Sequence, residues 1–265
     1  MPSRILFERI VKRFQPARGG AEVTALEGLS LAIEDRSFVC LVGPSGCGKS
    51  TLLNLLAGFE TPTGGRVLLD GHDVKGPAPD RGVVFQEAAL FPWLTVLGNV
   101  SYGPQRRGIA KSVYTPAAMA LLEKVGLTRF AESYPSELSG GMRQRAAIAR
   151  ALVNDPEVLL MDEPFGALDA QTRSMMQELL LAIWERDQRT VLFVTHDVEE
   201  AVFMADRVIV MSRAPGRIMA DIAIDLPRPR SFEVLTGPTF TAYKRDVLAL
   251  VRQEARAVAG AQDAH

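Results

Sequence analysis

The chain has 265 residues, 47% of them hydrophobic and 23% charged, with a formal net charge of −1, which fits an ordinary globular protein of one large or two modest domains. So even a balance supplies no long-range field to draw in nucleic acid or anionic lipid and argues against a nucleic-acid-binding role. Cys40 and Cys47 form neither a disulfide framework nor a metal spacing, so a reducing cytosol is expected; the charged N-terminus lacks a secretory core, and no run approaches the ~20 apolar residues that cross a bilayer.

In chain order, Leu6–Val11, Val23–Leu26 and Leu29–Ile33 read as short antiparallel strands, the first two joined by a loop containing Gly19-Gly20. Phe14, before that loop, is placed either as a core phenylalanine or as a face on which a base stacks. The apolar run Phe38–Val42 then leads into Gly43-Pro44-Ser45-Gly46-Cys47-Gly48-Lys49-Ser50-Thr51 and a helical segment, the strand, loop and helix context that G-x-x-x-x-G-K-[ST] requires. Successive backbone N–H groups of such a loop converge on phosphate oxygens, Lys49 supplies a point charge to the β and γ phosphates, and the Ser50 hydroxyl is placed to coordinate Mg²⁺.

Gly82–Gln86 reads as a buried strand that ends in Gln86, at the edge where ligands of open α/β sheets collect. The segment Ala88–Val96, apolar but broken by Pro92, is either a connector packed on the core or an exposed docking patch for a partner. From Ser112 to Leu152 the pattern is helical, with a stop at Gly126 and a new start at Ser139-Gly140-Gly141. That start is either a second anion-binding helix end or an ordinary N-cap with flexible glycines.

Val158–Met161 has the continuous apolar character of a strand buried on both faces, and it ends in Asp162-Glu163-Pro164. Adjacent carboxylates at such a place need a cation or partners: Asp162 holds Mg²⁺ directly or through water, and Glu163 polarises a water. Ala167-Leu168-Asp169 leads into a helix with a stripe at Met176, Leu179, Leu180 and Ile183. Thr190–Thr195 is a further buried strand with His196 at its end, on the rim expected to carry Gly43, Gln86 and Glu163, which makes it a γ-phosphate contact. Asp197 and Glu200 have capping-box spacing. Two closing strands flank Pro215-Gly216, Asp225–Arg230 reads as an extended linker, and Phe240, Tyr243, Val247, Leu250 and Val251 mark a final amphipathic helix.

These motifs, in this order over about the first 225 residues, resemble the nucleotide-binding subunit of an ATP-binding cassette transporter. Phe91–Val96 and Ala214–Ile218 further resemble the nitrate, sulfonate and taurine importer branch. The resemblance implies an α/β fold of P-loop NTPase (RecA-like) type: a mostly parallel sheet core, an antiparallel β layer and a helical subdomain inserted at about 90–152. It places the ATPase domain at 1–225 and a C-terminal extension with one helix at 226–265.

It also implies ATP and Mg²⁺ as ligands, and a head-to-tail homodimer in which each ATP lies between one phosphate loop and the other copy's Ser139-Gly140-Gly141. Ser139 and Gly141 then grip the partner's γ-phosphate, Asp169 organises the interface, Phe14 stacks adenine, His196 steadies the γ-phosphate, and Gln86 senses Mg²⁺ and the attacking water. The implied partners are integral membrane permease subunits and, indirectly, a periplasmic or lipid-anchored solute-binding protein, with the chain peripheral on the cytoplasmic face of the membrane and no nucleic acid bound. One departure is Asp35-Arg36, where the family often has a Glu-Gly turn. The competing readings are a non-transport cassette ATPase acting on nucleic acid or translation, which would call for coiled-coil insertions, paired cassettes or basic surfaces, and a small-molecule kinase, which leaves Ser139-Gly140-Gly141 without a role.

Overall fold

The structure, a computed structural model, describes residues 3–15 and 20–262; Gly19 of the expected first loop lies outside them. The chain forms two units, Met1–Ala78 with Gln188–His265, and Pro79–Asp187. The first unit begins β1 (Ser3–Phe14), β2 (Val23–Glu34), β3 (Phe38–Val42), α1 (Lys49–Ala57), β4 (Gly64–Leu69) and β5 (His72–Asp73). The second holds β6 (Arg81–Val84), α2 (Val96–Arg106), α3 (Lys111–Lys124), α4 (Gly140–Leu152), β7 (Val158–Asp162) and α5 (Ala170–Asp187). The chain then returns to the first unit with β8 (Thr190–Val194), α6 (Val198–Met204), β9 (Arg207–Met211), β10 (Ile218–Ala223) and α7 (Pro238–Gln262).

In the first unit, an antiparallel layer runs β2-β1-β4-β5, and its buried face is carried by Ile5, Phe7, Ile10, Leu29, Leu31 and Ile33. Val23–Leu26 and Leu29–Ile33 belong to one strand, not two. Arg9 (φ 47°) on β1 lies at the irregularity between the Phe7–Leu31 and Ile10–Leu29 pairs, and Gly28 (φ 67°) at the next, between Ile10–Leu29 and Lys12–Leu26, so the alternation slips without the strand ending. Beside this layer, β3 pairs in parallel with β8 and β9, and β10 closes antiparallel on β9. All five residues of β3 and of β8 are buried, as continuous apolar runs in a parallel sheet require.

Asp225–Arg230 is not a free linker. Arg230 is 5% exposed and donates to the carbonyls of Phe203 at 3.0 Å and Ala205 at 2.8 Å, while Arg228 donates to Asp206 at 2.7 Å and to the Met204 carbonyl at 2.9 Å. These cations satisfy the orphan carbonyls at the C-terminus of α6, where positive charge is also favoured by the helix dipole. The helix α7 buries Phe240 and Val247, its Tyr243 hydroxyl accepts the Asp225 N–H at 3.1 Å, and Lys244 pairs with Glu199 of α6. The capping-box spacing before α6 is realised only in half. Asp197 accepts the Glu199 and Glu200 amides, but its own N–H goes to Thr195 Oγ1 at 3.0 Å.

In the second unit, β6 and β7 pair in parallel, Val84 opposite Met161. The strand β7 is buried along Val158–Met161, whereas β6 is only half-buried outside Val84, which corrects the expectation of a buried strand there. The helical region starts before Ser112: α2 begins at Val96, capped by Thr95 Oγ1, which accepts the Gly98 N–H at 3.1 Å. Gly98, Gly103 and Pro104 within it are poor helix formers, and tertiary contacts override that preference. A Cβ on Gly103 would stand 2.0 Å from Asn154 Oδ1, so the Asn154 side chain, which donates to the Arg150 carbonyl at 2.8 Å, would have to move. Gly126 ends α3 as expected, with φ 68° and its N–H on the Glu123 carbonyl. In α5 the buried face is Met176, Leu180, Leu181, Ile183 and Trp184, with Leu179 at its margin.

Candidate functional site

The phosphate loop follows β3, the interior strand between β8 and β9. Gly48 is the N-cap of α1 with φ 97°, and a Cβ there would stand 2.7 Å from Leu26 Cδ2, so both backbone conformation and space demand glycine. No side chain caps α1, which leaves its first amides facing the loop where a phosphate would accept them. Lys49 is 6% exposed and lies inside the loop, donating to the carbonyls of Gly43 at 2.8 Å and Pro44 at 3.0 Å. Ser45, Gly46 and Ser50 are exposed along the same loop, and Thr51 is half-buried behind them. Burial raises the Cys47 thiol above its ordinary value, with the Lys49 charge opposing the shift, so this cysteine packs as a neutral apolar group.

His196 is exposed just past β8. Because β3 and β8 are parallel, Leu41 opposite Val194, His196 and Gly43 leave their strands at the same edge. Phe14 ends β1 and is 38% exposed, which excludes the core reading. The Lys12 ammonium sits 4.8 Å from its ring centroid and is itself held by Glu60 at 2.7 Å and the Thr61 carbonyl at 2.9 Å, a cation–π contact that fixes the ring.

The second unit gathers the carboxylates. The parallel pairing of β6 and β7 brings their C-terminal ends together, and Gln86 Nε2 donates to Glu163 Oε2 at 3.2 Å. Glu163 has φ 44°, a conformation that costs a non-glycine residue on the order of 1 kcal/mol or more and persists where the surrounding structure enforces it. Asp162, the last residue of β7, is half-buried. Ser139 caps α4, its Oγ accepting the Met142 N–H at 3.2 Å; the hydroxyl hydrogen is left to donate. Gly140 is exposed, and a Cβ on Gly141 would stand 3.2 Å from Leu168 Cδ2. Asp169 caps α5 through the Thr172 N–H at 2.9 Å, and that bond holds its carboxyl below the usual carboxylate range.

Further residues of this unit hold the segment around Gln86. Gln144, 1% exposed, donates to the Phe85 carbonyl at 3.0 Å. Arg150 donates to the carbonyls of Ala89 at 2.7 Å and Ala88 at 3.1 Å, so α4 grips the segment on both sides of Gln86. Asn99 is fully buried, accepts the Phe91 N–H at 2.7 Å and faces the carbonyls of Phe91, Leu94 and Thr95. Only their position beside α2 and α4 exposes these roles; a lone amide or arginine in a helical pattern reads as surface. The segment they hold leaves Trp93 70% exposed, with the Phe91 ring tilted against those of Trp93 and Tyr102, which favours the docking reading of Ala88–Val96. A cleft of about 550 Å³ opens beside it, lined by Arg81, Phe85, Phe91, Tyr102, Arg106 and Arg150 among others.

The family model described as ABC transporter matches residues 26–166. The chain is 48% identical over 254 residues to an uncharacterized ABC transporter ATP-binding protein of Methanocaldococcus jannaschii, covering 96% of this chain and 93% of that protein. It is 50% identical over 236 residues to the nitrate import ATP-binding protein NrtD of Synechocystis (87% and 89% covered) and 49% identical over 245 residues to the taurine import ATP-binding protein TauB of Rhizobium johnstonii (92% and 92%). A dimeric ATP-binding cassette solved in a post-hydrolysis state bound to ADP and Pi superposes with a TM-score of 0.75 at 32% identity, covering 84% of this chain and all of that one.

Proposed function

The chain belongs to the ABC transporter family, and from that premise we propose that it is the ATP-hydrolysing subunit of an importer for a small oxyanion of the nitrate, sulfonate or taurine class. The α/β fold of P-loop NTPase type and the relatives named as nitrate and taurine import ATP-binding proteins support this reading. In this reading the solute path belongs to separate permease subunits; among the described residues no helix is long and apolar enough to cross a membrane. The cleft beside Phe91, with its arginines and the exposed Trp93, suits docking of an amphipathic permease segment. The chain then works from the cytoplasmic face as a peripheral subunit, and a solute-binding protein meets only the permease.

In this reading Lys49 and the loop amides of Gly43 to Thr51 bind the β and γ phosphates, and Phe14 stacks the base on the ring face away from Lys12. Ser50, Gln86 and Asp162 offer only hard oxygen ligands, the donor chemistry that Mg²⁺ prefers. Among the described residues no cluster of His, Cys, Asp and Glu makes an all-protein metal cage, which fits an ion that takes most of its ligands from phosphate and water. When bound, Mg²⁺ neutralises charge developing on the transferred phosphoryl group. Glu163 accepts a proton from the water that attacks the γ-phosphorus while the bond to the β-phosphate oxygen breaks, and Gln86 and His196 orient that water and the γ-phosphate. A second copy, related head to tail, supplies Ser139, Gly140 and Gly141 to the γ-phosphate, with Asp169 at the interface; one two-fold pair so completes two sites.

The observation that carries the reading is Glu163, held in a costly backbone conformation at the end of a buried strand and hydrogen-bonded to Gln86. Glu163→Gln keeps nearly the same volume and removes the base. It is expected to bind ATP as the parent does and to lose steady-state phosphate release by roughly 10²-fold or more. Parental turnover in that variant removes Glu163 from the role. Co-purification of RNA or DNA, in place of a hydrophobic permease, would favour the non-transport alternative.

A further inference from the structure

The turn between β9 and β10, within the segment Ala214–Ile218, meets the phosphate loop at one backbone contact. Gly216 is buried although Pro215 and Arg217 on either side are exposed. A Cβ built on it would stand 2.1 Å from the Cys47 carbonyl, 3.1 Å from Leu26 Cδ2 and 3.1 Å from Met211 Cε. Its φ is not in the left-handed region, so glycine is required here for space rather than for conformation.

The turn is fixed independently of the loop. Gly216 donates to the Ala25 carbonyl at 2.8 Å and accepts the Glu27 N–H at 3.3 Å, which ties it to β2, and Ser212 donates to the Arg217 carbonyl at 2.9 Å. Arg217 in turn donates to Ser212 Oγ, and the Arg213 N–H to Glu254 of α7, both at 3.0 Å. The loop touches this surface at two further points: a Cβ on Gly43 would stand 2.7 Å from the Met211 carbonyl, and one on Gly48 would stand 2.7 Å from Leu26 Cδ2.

Resting on the reading that this loop binds nucleotide, we propose that the β9–β10 turn is the backstop of the phosphate loop and that Gly216 is a positioning residue for it. The amides that donate to phosphate are set by where the Cys47 peptide comes to rest, and it rests against Gly216. A methyl group at 216 displaces that peptide by roughly an ångström to restore an ordinary contact, and misplacement on that scale is enough to cost up to 10²-fold at a preorganised site.

The test is titration of the full-length protein with a fluorescent ADP in the presence of Mg²⁺. Gly216→Ala is expected to raise the Kd at least tenfold, while its thermal midpoint without nucleotide stays within a few degrees of the parent. Gly76→Ala, whose Cβ enters open space, is the control and binds as the parent does. A second measurement needs no variant: ADP is expected to slow hydrogen exchange at the amides of Glu27 and Gly216 along with those of the loop, and it decides the matter if Gly216→Ala does not fold. An unchanged Kd for a folded Gly216→Ala, or protection confined to residues 43–49, overturns the proposal alone. Failure of the parent to bind ADP overturns the nucleotide reading and this proposal with it.

Discussion

Replacing Asn99 by alanine removes the anchor of the segment Phe91–Thr95. The side chain is fully buried. Its Oδ1 accepts the Phe91 N–H at 2.7 Å, and its Nδ2 lies 3.1, 3.1 and 3.0 Å from the carbonyls of Phe91, Leu94 and Thr95. Two amide hydrogens shared among three carbonyls, together with the accepted bond, amount to about three net hydrogen bonds at ~1 kcal/mol each, and an amide left without its partner adds ~1 kcal/mol or more. The expected loss is therefore about 3–4 kcal/mol. Both tryptophans, Trp93 and Trp184, lie in the Pro79–Asp187 unit, so urea unfolding followed by tryptophan fluorescence reads the unit in which the loss falls.

Asn99→Asp is expected to be worse than alanine at neutral pH, because a carboxylate would face three carbonyl oxygens. Burial among acceptors raises the pKa of that new acid in the folded state. The part of the deficit due to the charge is then full above the raised value and is lost below the ordinary carboxylate pKa of about 4. A loss under ~1 kcal/mol for Asn99→Ala, or an Asn99→Asp deficit that does not shrink in acid, would refute the accounting.

Two further substitutions probe the turn before β3. Arg36 occupies the left-handed region at φ 59°, its N–H donates to Thr190 Oγ1 at 3.0 Å, and its 68% exposed side chain lies 3.7 Å from Asp35, an exposed pair worth little; Arg36→Gly keeps the N–H bond and is expected to stabilise by about 0.5–1 kcal/mol in thermal or urea unfolding. The Arg4 guanidinium beside Asp35, at 2.8 Å, holds its carboxyl below the usual carboxylate value. A depressed folded-state pKa contributes stability above the ordinary value and loses it as pH falls through the depressed one. Asp35→Asn is accordingly expected to differ most from the parent near neutral pH and to converge with it in acid, as unfolding curves across pH would show.

Local chemistry alone was enough for the phosphate loop, for β3, β7 and β8, and for the stops and starts at Gly126, Ser139 and Asp169. A continuous apolar run in a parallel sheet is buried, and the glycines of the phosphate loop and Gly126 mark turns, whereas Gly28 at φ 67° sits inside β2 without ending it. The family resemblance rested on the same residues, and so did the expected chemistry of Lys49, Glu163 and Gln86. What long-range contact decides was not legible. The helix α2 contradicts the propensities of Gly98, Gly103 and Pro104, and forms around the buried bonds of Asn99. Arg228 and Arg230 look like solvent-exposed charges in a proline-rich stretch until the C-terminal carbonyls of α6 are placed beside them. Arg36 shows that a turn keeps its left-handed geometry when glycine is absent, at a cost the surrounding sheet absorbs. Gly216 is 169 positions from Cys47 along the chain, and only pairing of β9 with β3 and of the turn with β2 brings the two within a methyl group of each other. Propensity and periodicity act over a few residues; steric exclusion between distant backbones acts only once the chain has folded.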